Sequence, residues 1–257
     1  MAIKPFINLY GKGFMKISGF TLCHNCVEGG YPFVEAIAAV RPWVDEIVAV
    51  DIESTDRTPE ILQKLGCKVL PGHFHGNDTC PENFKLHTAC EGDLIIFFEA
   101  DEVWHDDLLS AAMWAIERGE RDMAVYRIQV TQNFQRVKQY PIPVHRIFPK
   151  GGGSYVAHPT NVPDGIFTIP QDEGYLWDCS NCFRDNWLDR KRNQIKFFGC
   201  DRPLYVPEHF TNLHEFLSEA DCQQFLNEPF WEWIVTPLSI PAILRPLVGK
   251  TRYEAGI

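Results

Sequence analysis

Through the first 118 positions, short apolar runs alternate with stretches of helical periodicity. Ile17–Cys23 reads as a first strand, and a loop over Cys23–Gly30 follows it. Phe33, Ile37 and Val40 recur at helical spacing, which predicts a helix over 32–41. Ile47–Asp51 is a continuous apolar run of buried-strand length. Ser54 or Thr55 is placed to cap the next helix, with Pro59 in its first turn, Ile61, Leu62 and Leu65 behind, and Gly66 as its stop. Cys67–Leu70 predicts a short strand, 81–91 a helix, 94–99 a fourth strand and 106–118 an amphipathic helix. Strict strand–helix alternation implies a mostly parallel α/β sheet with helices on both faces.

Near residue 120 the pattern changes. Ala124–Asn133 alternates like a single strand with one wet face, and Val144–Phe148 is a further strand. Gly151–Gly153 and scattered prolines follow, without further β–α alternation. The last 50 residues read as helical and aromatic, then broken by proline. Three regions result: 1–120, 121–215 and a helical extension over 216–257.

A chain of 257 residues fits one domain, or one with an appendage. A formal net charge of −10 argues against a general nucleic-acid binder, which would show a basic face. No stretch reaches the roughly 20 apolar residues of a membrane helix, and Met1–Gly13 lacks the apolar core of a signal peptide. Nine cysteines, an odd count, fit reduced thiols better than a disulfide framework. The expectation is a soluble, cytoplasmic protein.

Two of the predicted strands end in acids: Asp51-Ile-Glu53 after the second, and Glu99-Ala-Asp101-Glu102 after the fourth. Ligands of open parallel sheets bind at the carboxyl ends of the strands. A hard-oxygen cluster such as Glu99–Glu102 suits Mg²⁺ or Mn²⁺ and a phosphate-bearing substrate. Asp51 and Glu53 are placed to accept hydrogen bonds from a ribose or a base.

Asp45–Thr58, with Ser54-Thr-Asp-Arg-Thr58 intact, and Glu99-Ala-Asp-Glu102 resemble the family 2 glycosyltransferases of the GT-A fold, whose usual runs are DEIVVVDSGSTDGT and LDADE. Gly92-Asp93 also fits, and weaker echoes continue at Arg146-Ile-Phe148, Tyr155-Val-Ala-His158 and Arg192-Asn193. The resemblance implies a GT-A, Rossmann-like sheet, with a nucleotide-sugar-binding half (1–120) and an acceptor half (121–215). It implies a metal-dependent transfer of a hexose or pentose from a UDP, GDP or TDP sugar, with inversion, to a glycan, lipid, protein or modified nucleic acid. Thr21, Asp51, Glu53, Glu99, Ala100 and Asp101 would bind the donor. Asp101 would hold Mn²⁺ or Mg²⁺ in a DxD-like motif, with Asp178 standing where a late histidine is usual and His158 as a more distant ligand. The base that inversion needs is sought among Asp164, Asp172, Glu173 and Asp178. The chain departs from the family pattern at Glu99, Glu53, the loop Cys23–Cys26 and Pro159.

A nucleotidyltransferase is the second enzyme class weighed, but Cys23–Gly30 has no Lys or Arg for a phosphate loop. A protein that binds a nucleotide sugar without catalysing transfer is the third. The pairs Cys23/Cys26 and Cys179/Cys182 read as loop and core thiols rather than as one zinc site. His73, His75, His209 and His214 read as surface or structural histidines, and Arg190–Arg192 as a solvated face. Trp231 and Trp233 read as core or as a homodimer contact.

Overall fold

The computed structural model describes residues 15–75, 80–131, 136–139, 143–152, 162, 165–181 and 240–247. Strands β1 (Ile17–Cys23), β2 (Glu46–Ile52), β3 (Lys68–Gly72) and β4 (Leu94–Phe97) are parallel, with β1 between β2 and β4. The sheet continues past β4 through β9 (Val144–Pro149), β6 (Met123–Val125) and β10 (Phe167–Thr168), where β9 alone runs antiparallel. A second sheet has the order β5 (Glu102–Trp104), β11 (Leu176–Asn181), β7 (Arg127–Thr131), β8 (Arg136–Gln139).

The core explains the apolar runs. One face of the seven-stranded sheet carries Ile17, Ile47, Ala49, Leu94 and Ile96. Packed there are Phe33, Ile37 and Val40 of α2 (Phe33–Val40) and Leu109, Ala112 and Ile116 of α6 (Asp106–Glu117). The other face carries Phe20, Val48, Val50, Ile95 and Phe97 with Leu86 of α5 (Lys85–Ala89). Strands covered on both faces read as continuous apolar runs rather than alternations. Gly92 is needed where β4 enters the sheet: a Cβ there would lie 2.5 Å from the Ser18 amide nitrogen. Its own amide instead donates to Ser18 Oγ at 2.8 Å.

Three expectations are corrected. Ala124–Asn133 is not one strand: Tyr126 separates β6 from β7, and the two belong to different sheets. The helix expected over 81–91 is two short ones, α4 (Cys80–Asn83) and α5. Ser54 and Thr55 do not cap α3 (Thr58–Lys64), which begins later with Arg57 at its N-cap. Of the C-terminal extension only 240–247 is described, as turns and a short 3₁₀ helix over Arg245–Leu247. Among the described residues no helix is long and apolar enough to cross a membrane.

Candidate functional site

The carboxyl ends of β1 and β2 are sewn together by the Ser54–Thr58 segment. Short α1 (Cys26–Gly29) follows β1 and has no cap of its own, because Asn25 sits in the left-handed region at φ 42°. Its first amides find acceptors on the neighbouring loop. Cys26 and Val27 donate to Thr58 Oγ1 at 2.8 and 3.3 Å, and Glu28 donates to Asp56 Oδ2 at 2.8 Å. Asn25 N donates to Ser54 Oγ, and Thr55 N returns a bond to Asn25 Oδ1 at 2.7 Å. Asp56 Oδ1 also accepts from Thr58 N. Orphan helix amides thus receive side-chain caps from a segment some thirty residues away, which is why this loop is dense in hydroxyls and acid.

That seam places Asp51. It lies one residue before the end of β2, opposite Cys23, and its Oδ1 is buried with no hydrogen-bond partner among the described residues. A buried carboxylate oxygen without a donor carries a desolvation cost that a ligand N–H or O–H can relieve. Glu53 lies two residues on, at φ 49°, a backbone conformation uncommon for a side-chain-bearing residue. Its Oε1 is 3.2 Å from His73 Nδ1 beyond the end of β3. His24 Nδ1 donates to the Ile52 carbonyl at 2.5 Å. Thr21 is buried within β1, its hydroxyl on the Leu22 carbonyl.

The acidic end of β4 is built differently. The Glu99–Glu102 turn closes twice: Glu102 N donates to the Glu99 carbonyl at 3.0 Å, and Glu99 N donates to Glu102 Oε2 at 3.1 Å. Ala100 and Asp101 ride on this turn, both half-buried. Glu102 itself is not open to a metal. It is fully buried and receives Arg146 in a two-pronged bond, Nε to Oε2 at 2.9 Å and Nη2 to Oε1 at 2.7 Å. Arg146 Nη2 also lies 3.5 Å from Glu99 Oε1. The ladder between β6 and β9 slips between Met123 and Ala124, leaving Arg146 as the extra residue of a bulge. Bulges of this kind re-aim a side chain.

Asp178 joins the same cluster. In β11 it pairs opposite Glu102, and the next amide, Cys179 N, donates to the Asp101 carbonyl at 2.7 Å. Arg127 Nη1 lies between the two acids, 3.8 Å from Glu102 Oε1 and 3.7 Å from Asp178 Oδ2. Burial raises the Glu99 carboxyl to about 8, the Glu102 charge adds to the rise, and Arg146 and Arg127 oppose it.

The structure therefore brings Glu99, Ala100, Asp101 and Asp178 to one strand end, with Asp51 and Glu53 two strands away at the same edge. It does not bring Glu173 there. Glu173 and Asp172 are exposed in a short 3₁₀ turn before the start of β11, beside α6, whereas Asp178 lies within the strand opposite Glu102. Among the described residues no three His, Cys, Asp or Glu side chains are grouped to hold a metal by themselves. Cys23, Cys26 and Cys179 are buried and in no disulfide among the described residues, and burial pushes the Cys26 thiol up. His158, Asp164, Cys182, Arg190–Arg192, His209, His214, Trp231 and Trp233 lie outside the described residues. The sequence reading missed Arg127 and Arg146 as members of the site. The signal was Arg146 within the apolar strand Val144–Phe148, since a buried arginine needs an acidic partner.

Comparison with known proteins adds a family. The family description Glycosyl transferase family 2 matches residues 21–188, about two thirds of the chain. An uncharacterized glycosyltransferase of Rickettsia bellii (strain RML369-C) is 34% identical over 87 residues, 34% of this chain and 28% of that protein. Among the curated relatives it matches, the chain thus spans less than a third of their length. Among solved structures, S. aureus TarS is 16% identical with a TM-score of 0.44, covering 70% of this chain and 39% of that one. Mannosyl-3-phosphoglycerate synthase from Rubrobacter xylanophilus is 22% identical with a TM-score of 0.35, covering 44% and 41%.

Proposed function

The chain belongs to glycosyl transferase family 2, and from that premise we propose that it moves a sugar from a nucleoside diphosphate donor to a hydroxyl acceptor. The observation that carries the reading is Asp51. Its orphaned, buried Oδ1 lies near the carboxyl end of the parallel strand β2, where a nucleotide would present a base N–H or a ribose hydroxyl. Glu53 and His73 rim the same edge. Glu99, Ala100 and Asp101 lie toward the diphosphate, and Asp178 comes from the acceptor half.

The oxygen-only donor set fits Mn²⁺ or Mg²⁺. Such an ion has about six positions and keeps several for phosphate oxygens and water, so Asp101 would suffice on the protein side and Asp178 is left to act as the base. Bound there, the ion supplies charge neutralisation for the departing diphosphate. The protein's own part is to orient the donor through Asp51 and to exclude water. A carboxylate of the acceptor half removes the acceptor hydroxyl proton as the new C–O bond forms and the sugar–phosphate bond breaks, inverting the anomeric carbon. Asp178, paired opposite Glu102 in β11, is the acid of that half proposed for this role. The donor half is assigned to 1–120 and the acceptor half to 121–215.

The test is calorimetry with UDP, GDP and TDP in Mn²⁺ and in EDTA, followed by donor turnover with glycan, lipid, protein and modified-DNA acceptors. At least one nucleotide should bind tighter in Mn²⁺. Asp51→Ala should raise donor KM about tenfold and change kcat less, because the contact is made in ground and transition state alike. Equal affinity in both buffers counts against the metal. Binding without any turnover would leave a nucleotide-sugar-binding protein.

A further inference from the structure

We propose that Arg146 and Glu102 form a positioning pair, whose role is to fix the turn that carries Asp101. The inference rests on reading that turn as the donor and metal site. Three bonds define the turn. Glu102 returns its carboxylate to the Glu99 amide, its amide to the Glu99 carbonyl, and β11 reaches across to the Asp101 carbonyl through Cys179 N. The first needs the Glu102 carboxylate held in one rotamer, and Arg146 holds both of its oxygens. The same guanidinium stands 3.5 Å from Glu99 Oε1, so one cation faces both acids that flank Asp101.

Stability alone does not account for this arrangement. A buried ion pair is often no better than an apolar pair of the same volume. It does supply direction. The fork of an arginine fixes a carboxylate plane, which an apolar contact or a lysine does not. The bulge in β9 that delivers Arg146 is a local departure from the ladder with the same result. Arg146 and Glu102 touch no substrate in this account. They act through Asp101 and Glu99.

The experiment compares Arg146→Lys, Glu102→Gln and the paired change Glu102→Met with Arg146→Met against wild type and Asp101→Asn. Two quantities are read: amide exchange of residues 98–103 in metal-free protein, and calorimetric affinity for the Mn²⁺ complex of whichever of UDP, GDP and TDP binds wild type best. Arg146→Lys should exchange at least tenfold faster in that segment and bind the complex at least tenfold more weakly. The paired methionine variant should keep a melting temperature near that of wild type and still bind at least tenfold more weakly. Wild-type affinity in the folded methionine pair, with Asp101→Asn impaired, overturns the positioning role and leaves the donor site standing. Should wild type bind none of the three nucleotides, the donor reading falls and the exchange measurement decides. Unchanged exchange in Arg146→Lys then overturns the pair, and faster exchange upholds it as what fixes the turn. If the methionine pair fails to fold, Arg146→Lys decides by both measurements.

Discussion

The two acidic strand ends of this sheet solve the same problem with different chemistry. At β2 the loop is held by neutral hydroxyls, the Asn25 carboxamide and one aspartate receiving backbone amides, over Asn25–Glu28 on one side and Ser54–Thr58 on the other. At β4 the turn is held by charges, with Arg146 and Arg127 set against Glu99, Glu102 and Asp178. The first arrangement leaves an acid, Asp51, with a spare oxygen. The second spends Glu102 on structure and leaves Asp101 at the turn. A binding edge for a base needs a fixed acceptor, and hydroxyl caps fix the backbone without adding charge. A turn that meets phosphate and metal must keep several carboxylates close together, and guanidiniums offset their repulsion.

The largest effect should come from the charged end. Asp101→Asn is expected to lower turnover at least 1,000-fold, roughly 4 kcal/mol of transition-state stabilisation. Its melting temperature should stay near wild type, because Asp101 is half-buried and β11 holds it through its carbonyl, which the substitution keeps. Near wild-type turnover would place the essential carboxylate elsewhere in the cluster.

The neutral end should respond in stability instead. Thr58 is fully buried and its hydroxyl accepts two amides of α1. Thr58→Ala leaves those amides without their acceptor and should cost about 2 kcal/mol in chemical denaturation, the upper range for a capping threonine. Thr58→Ser keeps the oxygen and should recover more than half of that. If Ala and Ser behave alike, the lost methyl packing is what matters and the hydroxyl seam is incidental.

These two ends were not equally legible beforehand. The hydroxyl seam lies in one contiguous motif, so Ser54–Thr58 showed itself in the sequence, although its work was misassigned to capping α3. The true recipient, α1, is some thirty residues earlier, and nothing in local pattern names a distant acceptor. The strands β1, β2 and β4 were readable because burial on both faces leaves only apolar residues. The break at Tyr126 was not, since an alternating run continues smoothly while the chain changes sheets. Asp101 was readable from its strand-end position. The pairing of Glu102 with Arg146 spans 44 residues and depends on a one-residue bulge, so the sequence offered Glu102 as a further metal-side acid when it is a structural anion. Asp178 was reached only as a substitute for a missing histidine, yet the fold seats it opposite Glu102.

The smallest effect expected is also the one that separates charge from hydrogen bonding at the β4 end. Glu99 has its carboxyl raised to about 8 by burial, with the Glu102 charge adding to the rise. Its unfolded value is near 4.5, so between those two values the folded protein holds a proton that the unfolded chain has released. The stability tied to that proton is complete below about pH 4.5 and is lost as pH climbs through about 8. Gln mimics the protonated acid and carries no such loss. In EDTA, Glu99→Gln should match wild type near pH 4.5 and melt about 2–4 °C higher at pH 8.5, roughly 1 kcal/mol for a chain of this size once screening at a partly exposed side chain is allowed for. The contact with Arg146 pulls the other way, because a guanidinium 3.5 Å from Glu99 Oε1 favours the ionised form. If that contact dominates, Glu99→Gln will be the less stable protein at pH 8.5, by a margin already complete above about pH 4.5 and lost only as pH falls below it. The sign of the difference at pH 8.5 therefore reports whether Glu99 is held at this strand end as an acid or as an anion before any donor arrives.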